Sequence, residues 1–335
     1  MSDVARAAGV SPMTVSRVIN KDANVRAETR ERVDAAITAL NYAPNSAARL
    51  LAGAARTRIC LVYGNPSAAF LSEVLLGCLS ESSRSDVQLL LANCEDSLDP
   101  ADVAGRALAT RPDGVILPSP FCDMPELVDR LLAADVAVTA VATDAPVEGA
   151  FAVNIDDRAA AAEMTRHLLR LGHRRIGFIG GARNQAASAS RLEGYRQALS
   201  EAGLPVDDKL IAEGDFTYRS GIVAADRLLD VATRPTAIFA SNDDMAAAVV
   251  AVAHRRHLDV PADLSVCGFD DTALATTISP ELTTVRQPVA EMAQAAVEML
   301  AGAARRRRQG EAAVPERRLF PHEIIRRQSD AAPQA

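Results

Sequence analysis

From Arg58 onward the chain repeats one pattern: a short apolar run, a turn, then an amphipathic helical stretch. The runs are Arg58–Tyr63, Val87–Ala92, Gly114–Leu117, Val136–Val141, Arg175–Gly180, Ala237–Ala240 and Leu264–Phe269. Strands that are apolar throughout, rather than at every second residue, suit parallel sheets covered by crossover helices on both faces. The pattern therefore predicts a doubly wound α/β body. Its roughly 270 residues fit two lobes better than one. With 49% apolar and 24% charged residues, extensive disorder is excluded. No run approaches the eighteen uncharged apolar residues of a membrane span. The start, with Arg6 and Gly9, lacks a signal-peptide apolar core, so a cytoplasmic location is expected. Five scattered cysteines (Cys60, Cys78, Cys94, Cys122, Cys267) form no metal-site or disulfide spacing and read as buried thiols.

The first sixty residues read differently, as helices alone. Asp3–Ala8 forms a short helix that Gly9 stops, and Ser11 then caps a second helix with Pro12 at its first position. A third helix begins near Ala27, with Val33, Ile37 and Leu40 on one face and Glu28 paired to Arg32. Pro44 ends it. Residues 1–58 carry nine Arg and Lys against five Asp and Glu, whereas the remainder carries 27 against 38. A small basic module joined to an acidic body suits an attraction to nucleic-acid phosphates, although a balance of +4 is also common on solvated helices.

Ala5-Arg6-Ala7-Ala8-Gly9-Val10-Ser11-Pro12-Met13-Thr14-Val15 has helix-turn-helix spacing. Ala5 allows close helix approach, Gly9 the turn, and Val10 and Val15 fill the space between. The exposed face would then present Met13, Thr14, Ser16, Arg17 and Asn20 to a major groove, Arg17 for guanine and Met13 for a thymine methyl. Short hydroxyls with one Arg favour that reading over a helical hairpin packed on the body.

These motifs, with Thr29-Arg30-Glu31-Arg32-Val33 and Leu40-Asn41-Tyr42-Ala43-Pro44-Asn45, closely resemble the N-terminal domain of the LacI/GalR family of bacterial transcription regulators. The match continues through Leu171–Ile176, Arg191–Tyr195, Ser241–Ala246, Gly268–Asp271 and Leu282–Pro288, in the family's order. The resemblance implies DNA contacts from Ser11, Met13, Thr14, Ser16, Arg17, Asn20, Tyr42 and Asn45. It also implies a hinge helix at 45–53 whose Leu51 wedges into the minor groove. A nine-residue helix is marginal alone and so can be switched by its surroundings. The family carries several residues ahead of the position of Asp3, some touching phosphate. Either Met1 takes over that anchoring or the true start lies upstream.

The body resembles the two-lobed periplasmic sugar-binding fold, with its ligand in the cleft. Matched by motif, Arg191 would bond ligand hydroxyls or carboxylates, Asn242 and Asp270 would pair as polar contacts, Phe216 would form an aromatic wall, and Gln287 would sit at a crossover. Asn65 and Phe70 would contribute from the first lobe. The bland alternative for Arg191 is an inter-lobe salt bridge with Asp270. Many sugar-responsive relatives hold Asp or Arg where Ala142 stands, with Thr143 or Asp144 as possible substitutes. That departure argues against an ordinary hexose and leaves room for a glycoside with an apolar aglycone.

The expected division is a helix-turn-helix domain at 1–44, hinge and linker at 45–57, and an effector-binding, dimerising body at 58–328. Within the body, 58–155 and 288–316 form one lobe, 156–287 and 317–328 the other, with 329–335 a frayed tail. The reading is a non-enzymatic homodimeric repressor that binds a near-palindromic double-stranded operator and is released by a sugar or glycoside. No metal or cofactor is expected, nor any membrane partner. His254-Arg255-Arg256-His257 lacks a zinc-protease Glu, and neither a dinucleotide fingerprint nor a nucleophile elbow occurs. The Asp156-Asp157, Asp243-Asp244 and Asp270-Asp271 doublets should point opposite ways rather than hold a metal. The alternatives are a purine-like or other co-repressor, and a stand-alone solute-binding protein. The Arg305–Arg308 run reads as solvated surface.

Arg17 is the long cation on the recognition face. Arg17→Ala should therefore abolish preference for operator while sparing weak binding to random DNA, because base contacts specify and phosphate contacts do not. Fluorescence anisotropy with both duplexes at physiological salt checks this; retained discrimination overturns it.

Overall fold

The computed structural model describes residues 2–19, 25–40 and 56–334, in two compact units that divide after Arg56. In the first unit, α1 (Ser2–Ala8), α2 (Pro12–Ile19) and α3 (Ala27–Ala39) surround a small core of Val4, Ala5, Ala8, Val15, Val18, Val33 and Ala36. Gly9 takes φ +64°, the left-handed turn between α1 and α2. The Ser11 hydroxyl accepts from the Thr14 amide at 3.1 Å and caps α2. Arg32 donates to the Ala8 carbonyl at 3.0 Å, tying α3 to the end of α1. The face of α3 differs from expectation at one position: Val33 and Ala36 are buried and Ile37 partly so, but Leu40 is 47% exposed. Asn20, Tyr42, Asn45 and Leu51, with the hinge, lie outside the described residues.

The second unit holds two six-stranded sheets. Its elements are β1 (Thr57–Tyr63), α4 (Ala68–Arg84), β2 (Val87–Asn93), α5 (Pro100–Ala109), β3 (Gly114–Pro118), α6 (Pro125–Ala133), β4 (Ala137–Val141), β5 (Phe151–Asn154), α7 (Asp157–Arg170), β6 (Ile176–Gly180) and α8 (Ala186–Glu201). Then come β7 (Ile211–Glu213), α9 (Tyr218–Leu229), β8 (Ala237–Ala240), α10 (Asp243–Arg255), β9 (Ser265–Asp270), α11 (Leu274–Thr277), β10 (Thr283–Arg286), α12 (Val289–Arg308), β11 (Arg317–Leu319) and β12 (Glu323–Ile325). The first sheet runs β11-β5-β4-β3-β1-β2 and is parallel throughout. The second runs β12-β10-β9-β8-β6-β7 and is parallel except for β12 against β10.

Burial explains the apolar runs. In β1, Ile59 and Leu61 enter one core while Cys60 and Val62 enter the core on the opposite face. In β8, Ala237 and Phe239 face one way, Ile238 and Ala240 the other. All five cysteines are buried free thiols, and burial pushes Cys78 up to about 12 and Cys94 to about 11.

Two expected boundaries need correction. Strand β11 pairs with β5, so residues 317–319 belong to the first lobe and only the following segment returns to the second. Nor is the tail frayed. The Ser329 hydroxyl donates to the Val266 carbonyl at 2.6 Å, buried Asp330 meets His167 at 2.6 Å and bonds Thr283, and the Ala331 carbonyl meets His173 at 2.9 Å. Of the Arg305–Arg308 run, Arg307 pairs with Asp135 and Arg308 with Asp113, all on the surface.

Gly194 lets α8 lie against α7: a Cβ there would stand 2.2 Å from the Arg158 carbonyl and 2.8 Å from the Ala162 amide. Gly105, inside α5, has open space. Gly194→Ala should therefore cost about 2–3 kcal/mol, whereas Gly105→Ala should be neutral or gain up to ~1 kcal/mol. Thermal melts of both variants check the contrast; equal effects would refute the close approach.

Candidate functional site

Two surfaces carry chemistry. On the first unit, Val15 and Val18 anchor α2 inward, leaving Ser11, Met13 and Arg17 exposed and Thr14 and Ser16 half-buried. Met13 is 67% exposed, unusual for so large an apolar side chain and suited to a complementary surface. Ser11 and Thr14 hydroxyls meet at 2.9 Å at the amino end of α2.

The second surface is a cavity between the two lobes of the body, built where strand C-terminal ends meet. All seven of the expected cleft residues line it: Asn65 and Phe70 from the first lobe, and Arg191, Phe216, Asn242, Asp270 and Gln287 from the second lobe and its exit. The cavity measures about 360 Å³ including its open mouth. Asn242 is also the N-cap of α10: its Oδ1 accepts from the Met245 amide at 3.0 Å and its Nδ2 donates to the Phe216 carbonyl at 2.9 Å. That bond fixes Phe216, whose φ of +68° is a left-handed conformation costly for an aromatic residue.

Arg191 is 4% exposed, and its surroundings differ from the inter-lobe bridge expected as the alternative. Arg191 and Asp270 stand on the same lobe, so no inter-lobe bridge exists between them, and their nearest approach is a loose 3.8 Å. The close partner is Asp157, whose Oδ1 accepts from Arg191 Nε at 2.6 Å. Another guanidinium nitrogen donates to the Ser241 carbonyl, and the group stacks 3.6 Å from the centroid of the Phe269 ring. Asp270 accepts from Gln287 Nε2 at 2.6 Å. Gln287 also lines the cavity, and its Oε1 is buried without a protein partner.

Burial drives the carboxyl groups here upward. Asp157 rises to about 6 through burial, opposed by the Arg191 charge, and Asp270 rises well above its ordinary value for the same reason. Asp243 rises to about 7 through burial, against hydrogen bonds from Thr284 and Thr272. Each acidic doublet diverges as expected. Asp156 caps α7 while Asp157 turns to Arg191; Asp243 bonds Thr272 while Asp244 faces Ser67; Asp270 lines the cavity while Asp271 pairs with Arg286.

Several contributors carried no sequence signal. The Ser67 hydroxyl donates across the cleft to Asp244 at 2.6 Å, Ser119 to Gln185 at 2.7 Å, and the Ala186 amide to Asp123 at 3.3 Å. Ser67, Ser119 and Gln185 also line the cavity. Only Ser67 had a readable hint, as the N-cap of α4. Neither Thr143 nor Asp144 replaces the missing side chain at Ala142. Thr143 bonds Asp123, and Asp144 accepts from Asn154. The HRRH segment is surface: Arg255 and Arg256 pair with Asp226.

The raised Asp157 gives a testable pH dependence. Its folded value of about 6 exceeds its ordinary 3.8, so the folded chain holds a proton that the unfolded one releases. Stability from this source is complete below 3.8 and is lost as pH rises through about 6. Between pH 4 and pH 8 the wild-type melting temperature should fall by several degrees relative to that of Asp157→Asn; parallel curves would overturn the assignment.

Residues 1–45 match the family described as bacterial regulatory proteins, lacI family, and residues 165–329 match the periplasmic binding protein-like domain. The chain is 37% identical over 300 residues to catabolite control protein A of Priestia megaterium, covering 89% of this chain and 90% of that one. Among solved structures it resembles a transcriptional regulator CelR–cellobiose complex (TM-score 0.74, 34% identity, 98% of each chain). It also resembles a lac repressor dimer bound to operator and the anti-inducer ONPF (TM-score 0.74, 28% identity, 98% of each chain).

Proposed function

The chain belongs to the lacI family of bacterial regulatory proteins, DNA-binding transcriptional regulators, and on that premise we propose that it represses a sugar- or glycoside-utilisation operon and is released by a small carbohydrate. The observation that carries the effector reading is the cavity itself. Phe216 offers a flat apolar face, and Arg191, Asn242, Asp270 and Gln287 offer donors and acceptors around it. That combination suits a polyhydroxylated ring. The CelR relative solved with cellobiose supports the same class.

On the DNA side, Arg17, Met13 and the α2 hydroxyls read one half-site per subunit, so the operator is a near-palindrome. A homodimer accounts for apolar side chains left in water on the body: Leu76 and Leu79 on α4, Leu91 on the edge strand β2, and Tyr218 and Val223 on α9. Regulation needs no catalytic step, and the chain works in the cytoplasm as a binding protein, not an enzyme.

Arg191→Ala and Asp270→Asn test the pocket. Each alters a buried hydrogen-bonding group that lines the cavity and should weaken effector binding tenfold or more, about 1.5–3 kcal/mol. Operator affinity without effector should survive both. Effector affinity is read by calorimetry and operator binding by anisotropy. If Asp270→Asn lowers the melting temperature but leaves effector affinity intact, the residue is structural and the pocket reading fails. An added sugar should weaken operator binding; a purine that strengthens it would instead establish co-repression.

A further inference from the structure

A second cavity opens beside the first and shares two of its walls, Asn65 and Gln185. It is the larger, about 850 Å³ against 360 Å³ when both are measured to their open mouths. Its character repeats that of the inner chamber. Pro66, Leu98, Pro120 and Phe121 form an apolar wall whose exposed part is Pro66 and Leu98, the latter 58% exposed, with Pro120 and Phe121 buried behind them. Glu95, Asn184 and Asp215 give exposed polar groups. Burial would raise Asp215, but hydrogen bonds from Thr217 and Ser220 outweigh it and hold its carboxyl below the ordinary value, so it is anionic at neutral pH.

The charges are one-sided. Among the described residues lining the two chambers, Arg191 is the only cation, against the exposed carboxylates Glu95 and Asp215 and the buried carboxyl of Asp270. Its charge is already taken up by Asp157 and approached by Asp270. Arg183, next to the outer chamber, pairs with Glu213. An incoming phosphate or carboxylate would thus meet acceptors and no uncommitted cation, at a cost that rises with burial. Ala142 removes one more polar contact from the inner chamber, so a single small ring gains less there.

Resting on the carbohydrate reading above, we infer that the effector is an uncharged glycoside of two units. One ring lies on Phe216 among Arg191, Asp270 and Gln287. The second lies in the outer chamber, its flat face on the apolar wall and its hydroxyls donating to Glu95 and Asp215. Phosphorylated sugars and sugar acids are excluded.

The test uses the full-length protein with cellobiose, maltose, lactose, p-nitrophenyl glucoside, glucose and glucose 6-phosphate as probes, read by calorimetry and by release of operator. At least one neutral two-unit probe should bind tenfold or more tighter than glucose, and glucose 6-phosphate should neither bind nor compete. Glu95→Gln with Asp215→Asn should weaken that probe about tenfold and leave glucose unchanged, because neither side chain reaches the inner chamber. Glucose binding as tightly as every two-unit probe, or tight binding of glucose 6-phosphate, overturns the two-unit inference and leaves the carbohydrate reading standing. If no sugar binds while hypoxanthine does, both fall. A double variant that affects glucose and the two-unit probe alike also overturns the outer subsite.

Discussion

Holding one buried guanidinium in place organises the cleft. Taking the Arg191 charge out of water costs several kcal/mol unless it is compensated, and three features compensate it. Asp157 receives its Nε at 2.6 Å, the Ser241 carbonyl receives a second nitrogen, and the Phe269 ring lies 3.6 Å from its centre. Each partner is itself placed by local structure. Asp157 opens α7 because Asp156 caps that helix, accepting from the Ala159 amide at 2.8 Å. The α7–α8 contact that brings Asp157 and Arg191 together depends on the bare backbone of Gly194, one turn beyond Arg191. Ser241 directly follows β8 and Phe269 lies one residue before the end of its parallel neighbour β9, and continuing the register from Phe239 opposite Cys267 brings them to the same level. A cap, a glycine and a strand register thus converge on one side chain.

The same dependence explains what could be read in advance. The seven apolar runs correspond to β1, β2, β3, β4, β6, β8 and β9; apart from the half-exposed edge strand β2, these strands are buried on both faces and write that burial directly into composition. The runs did not mark β5, β7, β10, β11 and β12, which have three or four residues each. All three residues of β11 are exposed, so nothing in its own sequence announces a strand. Its place beside β5 follows from where α12 releases the chain. At the cleft, Arg191, Phe216, Asn242, Asp270 and Gln287 were found through matched motifs, and the cavity gathers them. Gln185, Ser119 and Asp123 leave no mark in the sequence, because their roles are contacts between loops distant in sequence, 66 residues apart for Ser119 and Gln185. In the sequence Asp157 is only half of a doublet; its ion pair follows from the packing of α7 on α8.

The lobes are joined by three short crossings, after β5, after β10 and between β11 and β12, so they can move against each other with little chain to rearrange. Their polar contacts across the cleft are few: Ser67 to Asp244, Ser119 to Gln185, and the Ala186 amide to Asp123. A hydrogen bond of this kind contributes a net ~1 kcal/mol, so three of them are comparable with the ~1–3 kcal/mol by which a ligand shifts a regulatory equilibrium. A ligand need not add a large energy to bias the lobes. It needs only to replace, strengthen or prevent two or three existing bonds.

That balance ties specificity to signalling. Ser67, Ser119 and Gln185 hold the lobes together and also line the space in which a ligand would sit. Asp123 and Asp244 accept hydrogen bonds from the opposite lobe, and burial raises both above their ordinary values. Their anionic forms therefore depend on those donors: Thr143, Ser119 and the Ala186 amide for Asp123, and Ser67 for Asp244. A bound molecule that displaced Ser67 or Ser119 would leave a buried carboxylate short of a donor, and a hydroxyl placed within reach would restore it. Ligands rich in hydroxyls can complete that exchange, whereas anions would add charge to carboxylates already burdened by burial. Recognition and lobe position thus draw on the same donors, so a molecule that fits the cleft necessarily acts on the contacts that set its closure.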